Sequence, residues 1–269
     1  MTIWSICARV FSMKPIERQA QIIRILRNEG KISVESLVAK LLTSPETIRR
    51  DLTVLSSSGK LQKVHGGAVL PQIIGEGPFQ QRMGENVGAK RIIAEKACEL
   101  ISSGDTLFID TGSTTLTFAE SLVAIEDLTV ITNSSDIAKT IGEQNSAEVF
   151  LIGGLYNKEN RETIGAIAVN QIRQFHLNHA VLTVGSVDAK AGITDYNIDE
   201  AQLAKAMIEQ SDNLIVLADS SKHNKIAPFK VTTLDEVDHL ICESIPENPL
   251  LMALSNARVQ PFCENAIKA

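Results

Sequence analysis

Cysteine is scarce in this 269-residue sequence, and its spacing does not suggest a metal centre. The four cysteines are Cys7, Cys98, Cys242 and Cys263. They form no CxxC pair and lie near no histidine at metal-ligand spacing, so neither a zinc site nor a disulfide framework is predicted. His176 and His179 have no third ligand, so surface or capping roles are favoured for them. The thiols are interpreted as buried or inert groups in a reducing cytoplasm.

The sequence also lacks a membrane span and a secretion signal. No apolar run approaches the roughly 20 residues that cross a bilayer. Residues 1–12 have neither a basic n-region nor a small-residue cleavage site. These absences predict a soluble, cytoplasmic protein with no membrane partner. Either the native chain begins at Met13, or residues 1–12 form a disordered extension.

Charge is distributed unevenly along the chain. Residues 1–73 contain eleven Lys and Arg and five acidic residues, a net charge of +6, whereas the remainder carries −12 and the whole chain −6. A basic N-terminal segment joined to an acidic body is typical of a polyanion-binding module attached to an unrelated domain. The acidic body should repel DNA and confine non-specific contact to the basic segment.

Three short helices are predicted in the basic segment. The first covers Ile16–Glu29. Its apolar stripe is Ile16, Ala20, Ile23 and Leu26. Ser33 caps the second helix, and Ser44 precedes the third, Pro45–Ser57, with proline at its first position. The buried stripe of the third helix is Ile48, Leu52 and Leu55. The tight turn between the second and third helices predicts a helix-turn-helix.

The third helix carries the groups expected to contact DNA. A recognition helix lies in the major groove and presents its N-terminal half to base edges. Thr47 suits a base edge or a thymine methyl group, and Arg49 and Arg50 suit guanine or a phosphate. Ser44, at the helix N-terminus, suits a phosphate oxygen. The alternative interpretation of the arginines is a solvated face on a surface helix.

A β-hairpin after the third helix is predicted to form the wing of a winged helix-turn-helix. Lys60, Lys63 and His65 are the polar groups that could follow the DNA backbone, although His65 could equally be an ordinary hairpin residue. Linker composition between residues 71 and 88 places the domain boundary near residues 72–78. We therefore expect a DNA-binding domain over residues 14–72 and a second domain over residues 78–269.

Beyond Gly88 the sequence alternates between short apolar strands and helices. The candidate strands are Thr106–Ile109, Leu128–Ile131, Glu148–Ile152, Ala180–Val184, Leu214–Ala218 and Val237–Cys242. The candidate helices are Lys90–Ser102, Thr114–Val123, Ser135–Glu143, Ala166–Gln174, Glu200–Gln210 and Pro249–Ser255. Nearly continuous apolar strands separated by helices predict an α/β domain with a mostly parallel sheet covered on both faces.

One strand end has the composition of an anion site. The first candidate strand ends at Asp110, and the sequence then runs through Gly112, Ser113, Thr114 and Thr115 into a helix. Turn amides, the helix N-terminus and several hydroxyls favour a small phosphate. Neither a Walker lysine nor a GxGxxG is present, so no nucleotide cofactor is predicted. A Ser/Thr-rich helix cap is the alternative.

Other polar groups should meet this loop at the carboxyl ends of the strands. They follow further candidate strands as Thr132 and Asn133, Gly153–Gly154, and Asp219 to Lys222. Ligands of open α/β sheets bind at these ends. Lys222 would supply positive charge to an anionic ligand, although each of these segments alone has ordinary loop composition.

As a set, these residues resemble the DeoR family of bacterial transcriptional regulators from about Glu17 to the end of the chain. The matching segments are ERQ at 17–19, SVESL at 33–37, SPETIRRDL at 44–52, VHGGA at 64–68, DTGSTT at 110–115, TNS at 132–134, GG at 153–154, GIT at 192–194 and ADSSK at 218–222. The resemblance implies a winged helix-turn-helix followed by a sensor domain similar to ribose-5-phosphate isomerase. In such proteins the sensor binds a phosphorylated sugar or sugar derivative and usually relieves repression.

The resemblance places the Asp110 loop, Thr132, Asn133 and Lys222 around the effector. The expected partners are operator DNA, a phosphorylated sugar or derivative, and further copies of the chain in a dimer or tetramer. Two alternatives stay open at this point. One is a sugar-phosphate isomerase with a DNA-binding appendage, using Asp110 and Asp188 as acid and base. The other is an architectural DNA binder that responds to no effector.

Overall fold

The computed structural model describes residues 13–57, 61–69, 77–144 and 146–263. Contacts between residues divide the chain into two compact units, Met1–Ile73 and Ile74–Ala269. Most of the predicted boundary, residues 72–78, lies outside the described residues, as do Lys60 and residues 1–12. No helix among the described residues has the length and apolarity to cross a bilayer.

The first unit consists of three helices and a small antiparallel sheet. Its elements are α1 (Pro15–Glu29), β1 (Lys31–Ser33), α2 (Val34–Leu41), α3 (Pro45–Ser57), β2 (Gln62–Val64) and β3 (Gly67–Val69). The sheet has the order β1-β3-β2, with both pairings antiparallel. Ser33 caps α2 as predicted, because its Oγ accepts a hydrogen bond from the Ser36 amide at 3.1 Å. The winged helix-turn-helix is thus confirmed.

The core of this unit corrects the predicted stripe of α1. The prediction was wrong for Ile16, whose exposed fraction is 82%, and for Ala20, which is also exposed. Ile22, which was not predicted, faces the core beside the correctly predicted Leu26. The predicted Ile23 is partly buried against the same core, which includes the correctly predicted stripe of α3. The reason is the buried contact between Arg18 and Asp51. Residues two apart lie on nearly opposite sides of a helix, so turning Arg18 toward the core turns Ile16 toward solvent.

Arg18 pairs with Asp51 of α3 inside the first unit. The Arg18 Nε lies 2.5 Å from Asp51 Oδ2, and both side chains are less than a tenth exposed. Gln19 Nε2 also donates to Asp51 Oδ1 at 3.0 Å. A buried carboxylate held by a guanidinium and an amide joins α1 to α3, because neither charge can leave its partner without a large desolvation cost.

The second unit contains a seven-stranded sheet between layers of helix. The strands of the unit are β4 (Thr106–Ile109), β5 (Thr129–Thr132), β6 (Glu148–Leu151), β7 (Leu155–Asn157), β8 (Glu162–Ile164), β9 (Leu177–Thr183), β10 (Ser186–Asp188), β11 (Gly192–Asp195), β12 (Ser211–Leu217), β13 (Phe229–Thr232), β14 (His239–Ile241) and β15 (Pro261–Phe262). The helices are α4 (Phe79–Met83), α5 (Val87–Cys98), α6 (Ser113–Ser121), α7 (Ser135–Gln144), α8 (Ala166–Ile172), α9 (Ile198–Glu209) and α10 (Leu250–Asn256).

The main sheet has the order β15-β14-β12-β9-β4-β5-β6, and all its pairings are parallel. Separate apolar clusters cover its two faces, with Phe108 in one and Ile109 in the other. The predicted fold class, a mostly parallel α/β domain behind a winged helix-turn-helix, is therefore confirmed. Neighbouring parallel strands end together, so their carboxyl ends form one polar edge.

Besides β1 and β15, two short β elements were absent from the sequence prediction. One is the hairpin β7–β8, and the other is the antiparallel sheet β10-β11-β13. The strands β7, β10 and β13 come in sequence after β6, β9 and β12 of the main sheet. Glu162 of β8 and Asp195 of β11 line a cavity with Asp110, which follows β4. Their strands are only three or four residues long, which is too short for an alternation of apolar and polar residues to be recognised in the sequence.

The described cysteines are free thiols. Cys242 and Cys263 are buried side by side after β14 and β15, with their sulfur atoms 2.8 Å apart. Burial raises the pKa of the Cys98 thiol to about 11, which suppresses its thiolate near neutral pH.

Candidate DNA-binding surface and effector cavities

The recognition helix α3 begins as the sequence predicts. The Ser44 Oγ accepts a hydrogen bond from the Thr47 amide at 3.3 Å and lies 2.9 Å from the Thr47 hydroxyl. Pro45 occupies the first helical position. Serine followed by proline satisfies an open amide and presets the backbone for the helix, so the start of α3 is fixed locally.

The exposed face of α3 presents the two predicted arginines. Both Arg49 and Arg50 are exposed, and Arg49 lies 3.8 Å from Glu46 with each side chain well over half exposed. Such an exposed pair contributes little stability. Arg49 can therefore leave Glu46 for a base or a phosphate at small cost.

The wing contacts the recognition helix through one predicted lysine. Lys63 Nζ donates to the Thr53 hydroxyl at 3.0 Å, and that hydroxyl donates to the Arg49 carbonyl at 2.9 Å. His65 lies exposed in the turn between β2 and β3. This chain of contacts places a wing cation beside the exposed face of α3.

Replacing Arg49 or Arg50 with alanine is expected to weaken operator binding by about 1–3 kcal/mol if the side chain contacts a base. A contact to phosphate alone would weaken binding to all sequences and reduce the salt dependence. Fluorescence anisotropy at several salt concentrations distinguishes the two cases. The control is Arg91→Ala, an exposed arginine of the second unit. Unchanged DNA affinity in both variants would refute the assignment of α3.

In the second unit, a cavity of about 170 Å³ opens at the carboxyl ends of β4, β9 and β12. We call it the outer cavity. It is lined by Arg82, Glu85, Asn86, Lys90, Ser113, Thr114, Thr183, Gly185, Tyr196, Asp219, Ser221, Lys222 and Lys225. Four cations and two carboxylates give this lining a positive formal charge, and the first turn of α6 supplies two hydroxyls.

Two of the cations are buried enough for their charge to be perturbed. Burial, followed by the nearby charge of Lys225, lowers the pKa of Lys222 to about 8. Burial also lowers the pKa of Lys90, whereas Asp219 opposes this shift. Lys90 Nζ donates to the carbonyls of Arg82 and Glu85, so its position is fixed by the backbone between α4 and α5. A bound anion would stabilise the protonated, charged forms of Lys222 and Lys90, which burial disfavours.

The loop between β4 and α6 is packed tightly against β9. A Cβ atom at Gly112 would lie 2.0 Å from Thr183 Cγ2, so only glycine permits this approach. The Thr183 amide donates to Asp110 Oδ1 at 3.0 Å. Together these contacts hold the start of α6 at the edge of the outer cavity.

A second, smaller cavity of about 20 Å³ shares Thr183 with the outer cavity. We call it the inner cavity. It is lined by Asp110, Thr111, Asn133, Glu162, Thr183, Val184, Asp195, Glu200, Leu203, Ala204 and Val231. Four of these residues are acidic, and they come from the β4 end, β8, β11 and α9. Within the described part of the chain, Thr183 is the one residue that lines both cavities.

Amide groups hold the four carboxyl groups in place. Glu162 accepts hydrogen bonds from the side-chain amides of Asn133, Asn157 and Asn160. Asn160 also donates to Glu200 at 2.8 Å. Asp195 accepts the Gly185 amide at 3.2 Å. These are neutral donors, so they orient the carboxyl groups without cancelling their charge.

The carboxyl groups of the inner cavity retain protons more strongly than ordinary acids. Burial raises the pKa of Asp110 well above its usual value, and it also raises those of Glu162 and Asp195. For Glu200, burial and then the charges of Glu162 and Asp195 raise the pKa to about 8. Arg82 opposes the shift of Glu200. Crowded, desolvated carboxyl groups resist full ionisation for these reasons.

The structure divides the predicted effector residues into three groups. Ser113, Thr114 and Lys222 line the outer cavity, and Asp110 and Asn133 line the inner one. The predicted effector residues that line neither cavity are Gly112, Thr115 and Thr132, and the strand end Gly153–Gly154 lines neither as well. Thr115 and Thr132 are fully buried. Their hydroxyls bind the Gly112 carbonyl and the Ser134 amide, so they shape the loops instead of facing a ligand.

Sequence reasoning missed seven charged residues of the cavities. They are Arg82, Glu85, Lys90, Glu162, Asp195, Glu200 and Lys225. Arg82 belongs to a short helix in a segment with linker composition, and Glu162 and Asp195 lie on the strands absent from the prediction. A weak signal was the run of Asp195, Asn197 and Glu200 around the start of α9, which also has the composition of a helix cap.

Known proteins match both units. A family model described as the DeoR C terminal sensor domain matches residues 85–244, and one described as a DeoR-like helix-turn-helix domain matches residues 18–73. A glycerol-3-phosphate regulon repressor of Haemophilus influenzae is 33% identical over 87% of this chain and 92% of its own length. A repressor with the same name from Escherichia coli K12 is 29% identical over 92% of this chain and 98% of its own.

Among solved structures, a ribose 5-phosphate isomerase from Methanocaldococcus jannaschii is similar over 50% of this chain and 53% of its own, with 16% identity and a TM-score of 0.37. The sensor-domain match alone covers more than half of the chain, and the helix-turn-helix match covers nearly all described residues of the first unit. The chain therefore belongs to the DeoR family of DNA-binding transcriptional regulators.

Proposed function

We propose that this regulator is a repressor whose second unit binds a phosphorylated sugar or sugar derivative in the outer cavity, and that binding releases the operator. The supporting observation is the convergence of four cations on the first turn of α6. They are Arg82, Lys90, Lys222 and Lys225. The relatives from H. influenzae and E. coli are named as repressors, which supports the sign of regulation.

The charge and size of the outer cavity favour a compact phosphate ester. A phosphate monoester carries about −1.5 to −2 charges at pH 7, which complements the excess of two cations in the lining. Hydroxyls and amides at the start of a helix are suited to its oxygens. The volume of about 170 Å³ is below that of cavities for drug-sized ligands, which favours a sugar phosphate over a nucleotide.

The proposed assignment extends to the domains and the DNA contacts. Residues 14–72 form the DNA-binding domain, and residues 78–269 form the sensor. The DNA contacts are Ser44, Thr47, Arg49, Arg50, Lys60, Lys63 and His65. The chain acts as a dimer or tetramer, because paired recognition helices on two half-sites bind far more tightly than one.

We further propose that the second unit has no catalytic activity. Asp188, the predicted partner of Asp110, lines neither cavity in the described part of the chain. Its carboxylate accepts the amides of Lys190 and Ala191, and these local bonds lower its pKa. Asp110 and Asp188 therefore do not face a common cavity among the described residues, which supports a sensor without acid–base catalysis. Pentose and hexose phosphates incubated with the protein should show no aldose–ketose conversion.

Lys222→Ala is expected to weaken effector binding about 30-fold, or about 2 kcal/mol, because a partly buried cation facing the phosphate is lost. Operator binding without effector should remain nearly unchanged, since Lys222 lies in the second unit. The measurement is release of an in vitro selected operator by a panel of phosphorylated sugars, followed by anisotropy. Lys139→Ala, an exposed lysine of α7, is the matched control.

The pH dependence of effector binding provides a second test of the role of Lys222. Burial lowers the Lys222 pKa to about 8, so the free protein loses this charge as the pH rises through that value. Affinity for the phosphate should therefore fall above about pH 8. Lys222→Ala should flatten this decline. If the Lys222→Ala protein released the operator at the effector concentrations that act on the parent, the role of Lys222 would be refuted. If no phosphorylated sugar made the parent release the operator, the sensor proposal would be refuted.

A further inference from the structure

We propose that the inner cavity binds an ammonium group, so that the effector is a phosphorylated amino sugar or amino polyol with its phosphate in the outer cavity. This inference rests on the proposed function and specifies the class of ligand. It is carried by the size of the inner cavity, the charge of its lining and an unsatisfied hydroxyl within it.

The size of the inner cavity restricts its occupant to one small group. A volume of about 20 Å³ is close to the minimum that holds a single water molecule. A phosphate or an acetamido group would not fit. An ammonium or hydroxyl group has the required size, and the choice between them depends on the lining.

The lining is strongly acidic. Asp110, Glu162, Asp195 and Glu200 all face the inner cavity. Arg82 is a cation that influences Glu162, Asp195 and Glu200 together, and its guanidinium donates to Asn160 Oδ1 at 3.3 Å. One guanidinium against four carboxyl groups leaves an excess of negative charge if all ionise. A bound cation would neutralise part of this excess, whereas a neutral hydroxyl would not.

An unsatisfied polar group faces the same space. Thr111 is 6% exposed and lines the inner cavity, and its Oγ1 has no hydrogen-bond partner among the described residues. A buried hydroxyl without a partner has lost its hydrogen bonds to water without replacement, which is unfavourable in the free protein. Its backbone amide is already satisfied by Asn133 Oδ1 at 3.1 Å. The free hydroxyl therefore marks a position where a ligand donor completes the site.

The chemistry of an ammonium matches these acceptors. An ammonium has three donors and can reach two carboxylates and the Thr111 oxygen at once, and its bonds to carboxylates are charge-assisted. A hydroxyl offers a single donor. The two cavities share Thr183, and in the proposed mode one short ligand occupies both, with its phosphate in the outer cavity and its amine in the inner one.

Proton release distinguishes this mode of binding. Glu200 faces Glu162, Asp195, Arg82 and the amides of Asn160 and Asn197, and its pKa of about 8 keeps it mostly protonated near neutral pH in the free protein. A bound ammonium favours the ionised form, so Glu200 or a coupled neighbour should lose a proton on binding. A neutral polyol gives no comparable driving force.

The test compares ligand pairs that differ in one group, using the full chain at about pH 6.5, where both the amine and Glu200 are protonated. The pairs are glucosamine 6-phosphate with glucose 6-phosphate, galactosamine 6-phosphate with galactose 6-phosphate, and serinol phosphate with glycerol 3-phosphate. Isothermal titration in two buffers of different ionisation enthalpy measures affinity and proton release. We expect at least one amine to bind about tenfold or more tightly than its hydroxyl partner, with release of protons.

A conservative variant localises the preference. Glu200→Gln should reduce the amine-to-hydroxyl affinity ratio to below about threefold and diminish proton release, whereas Glu209→Gln, an exposed residue of the same helix, should change neither. Circular dichroism checks that both variants fold. If Glu200→Gln does not fold, the amine-to-hydroxyl affinity ratio and the proton release of the parent protein decide the question.

Each outcome has a separate meaning. If no phosphate ester of any pair or panel binds, the proposed function fails. If hydroxyl members bind as tightly as the amines, or amines bind without releasing protons, the sensor proposal stands and the ammonium assignment is overturned. An amine preference that persists unchanged in a folded Glu200→Gln protein also overturns it, because the amine is then recognised elsewhere.

Discussion

Replacing Asp51 with alanine is expected to unfold the helix-turn-helix unit under conditions in which the parent stays folded. The substitution leaves the buried Arg18 guanidinium without its counter-ion, and breaking such a pair costs about 3–5 kcal/mol. A unit of about 60 residues has only roughly 3–9 kcal/mol of stability in total. Operator binding should therefore be lost, while the second unit keeps its fold.

Hydrogen exchange of the full chain locates this effect. Peptides from residues 15–69 should lose protection, and those from residues 77–144 and 146–263 should keep it. Glu46→Ala is the control, because Glu46 lies on the same helix with its side chain 77% exposed. The double variant Arg18→Met/Asp51→Leu should recover much of the stability, since an apolar pair removes both buried charges. An Asp51→Ala protein as stable as Glu46→Ala would contradict the structural role of the pair.

Replacing Gly67 with alanine is expected to separate β1 from β3 and weaken operator binding more than tenfold. A Cβ at position 67 would lie 2.2 Å from the Ile32 carbonyl oxygen, and backbone cannot yield as a flexible side chain can. The neighbouring bond from the Val34 amide to the Gly66 carbonyl, 2.9 Å long, would be strained as the strands part. Overpacking of this kind costs about 1–3 kcal/mol, sometimes more.

The adjacent glycine provides the matched control. Gly66 has a φ of +75° and no heavy atom within 4 Å of its would-be Cβ, so Gly66→Asn meets no clash and asparagine tolerates this backbone region. Thermal unfolding and anisotropy on the operator should show a small effect for Gly66→Asn and a large one for Gly67→Ala. Equal behaviour of the two variants would show that the contact between β1 and β3 does not position the wing.

Local signals explain why much of the first unit was predictable. Ser44 and Pro45 specify where α3 begins, and the spacing of Ile48, Leu52 and Leu55 specifies its buried face. Ile16 and Ala20 were wrongly included in the buried stripe of α1 because Arg18 faces the core. Its partner Asp51 lies 33 residues away in sequence, and no periodicity within α1 reports on such a distant contact.

In the cavities, too, features encoded by neighbouring residues were predictable and contacts between distant segments were not. Apolar strands followed by polar residues predicted the edge of the sheet, where Ser113 and Lys222 line the outer cavity. Their role in effector binding stays a prediction. The acidic lining of the inner cavity was not predicted, because Glu162, Asp195 and Glu200 come from three separate elements. Only the folded chain brings them together, and each alone has the composition of an ordinary loop, hairpin or helix start.

The two cavities, which share Thr183, are lined largely by different elements, and this has an evolutionary consequence. The outer cavity draws on α4, α5, the start of α6 and the end of β12, whereas the inner one draws on β8, β11 and α9. On the proposed assignment, a duplicated gene could acquire a new inducer through substitutions in the second set of elements while the first set continued to hold the phosphate. A bacterium could in this way adapt one ancestral regulator to successive nutrients without rebuilding its DNA-binding unit.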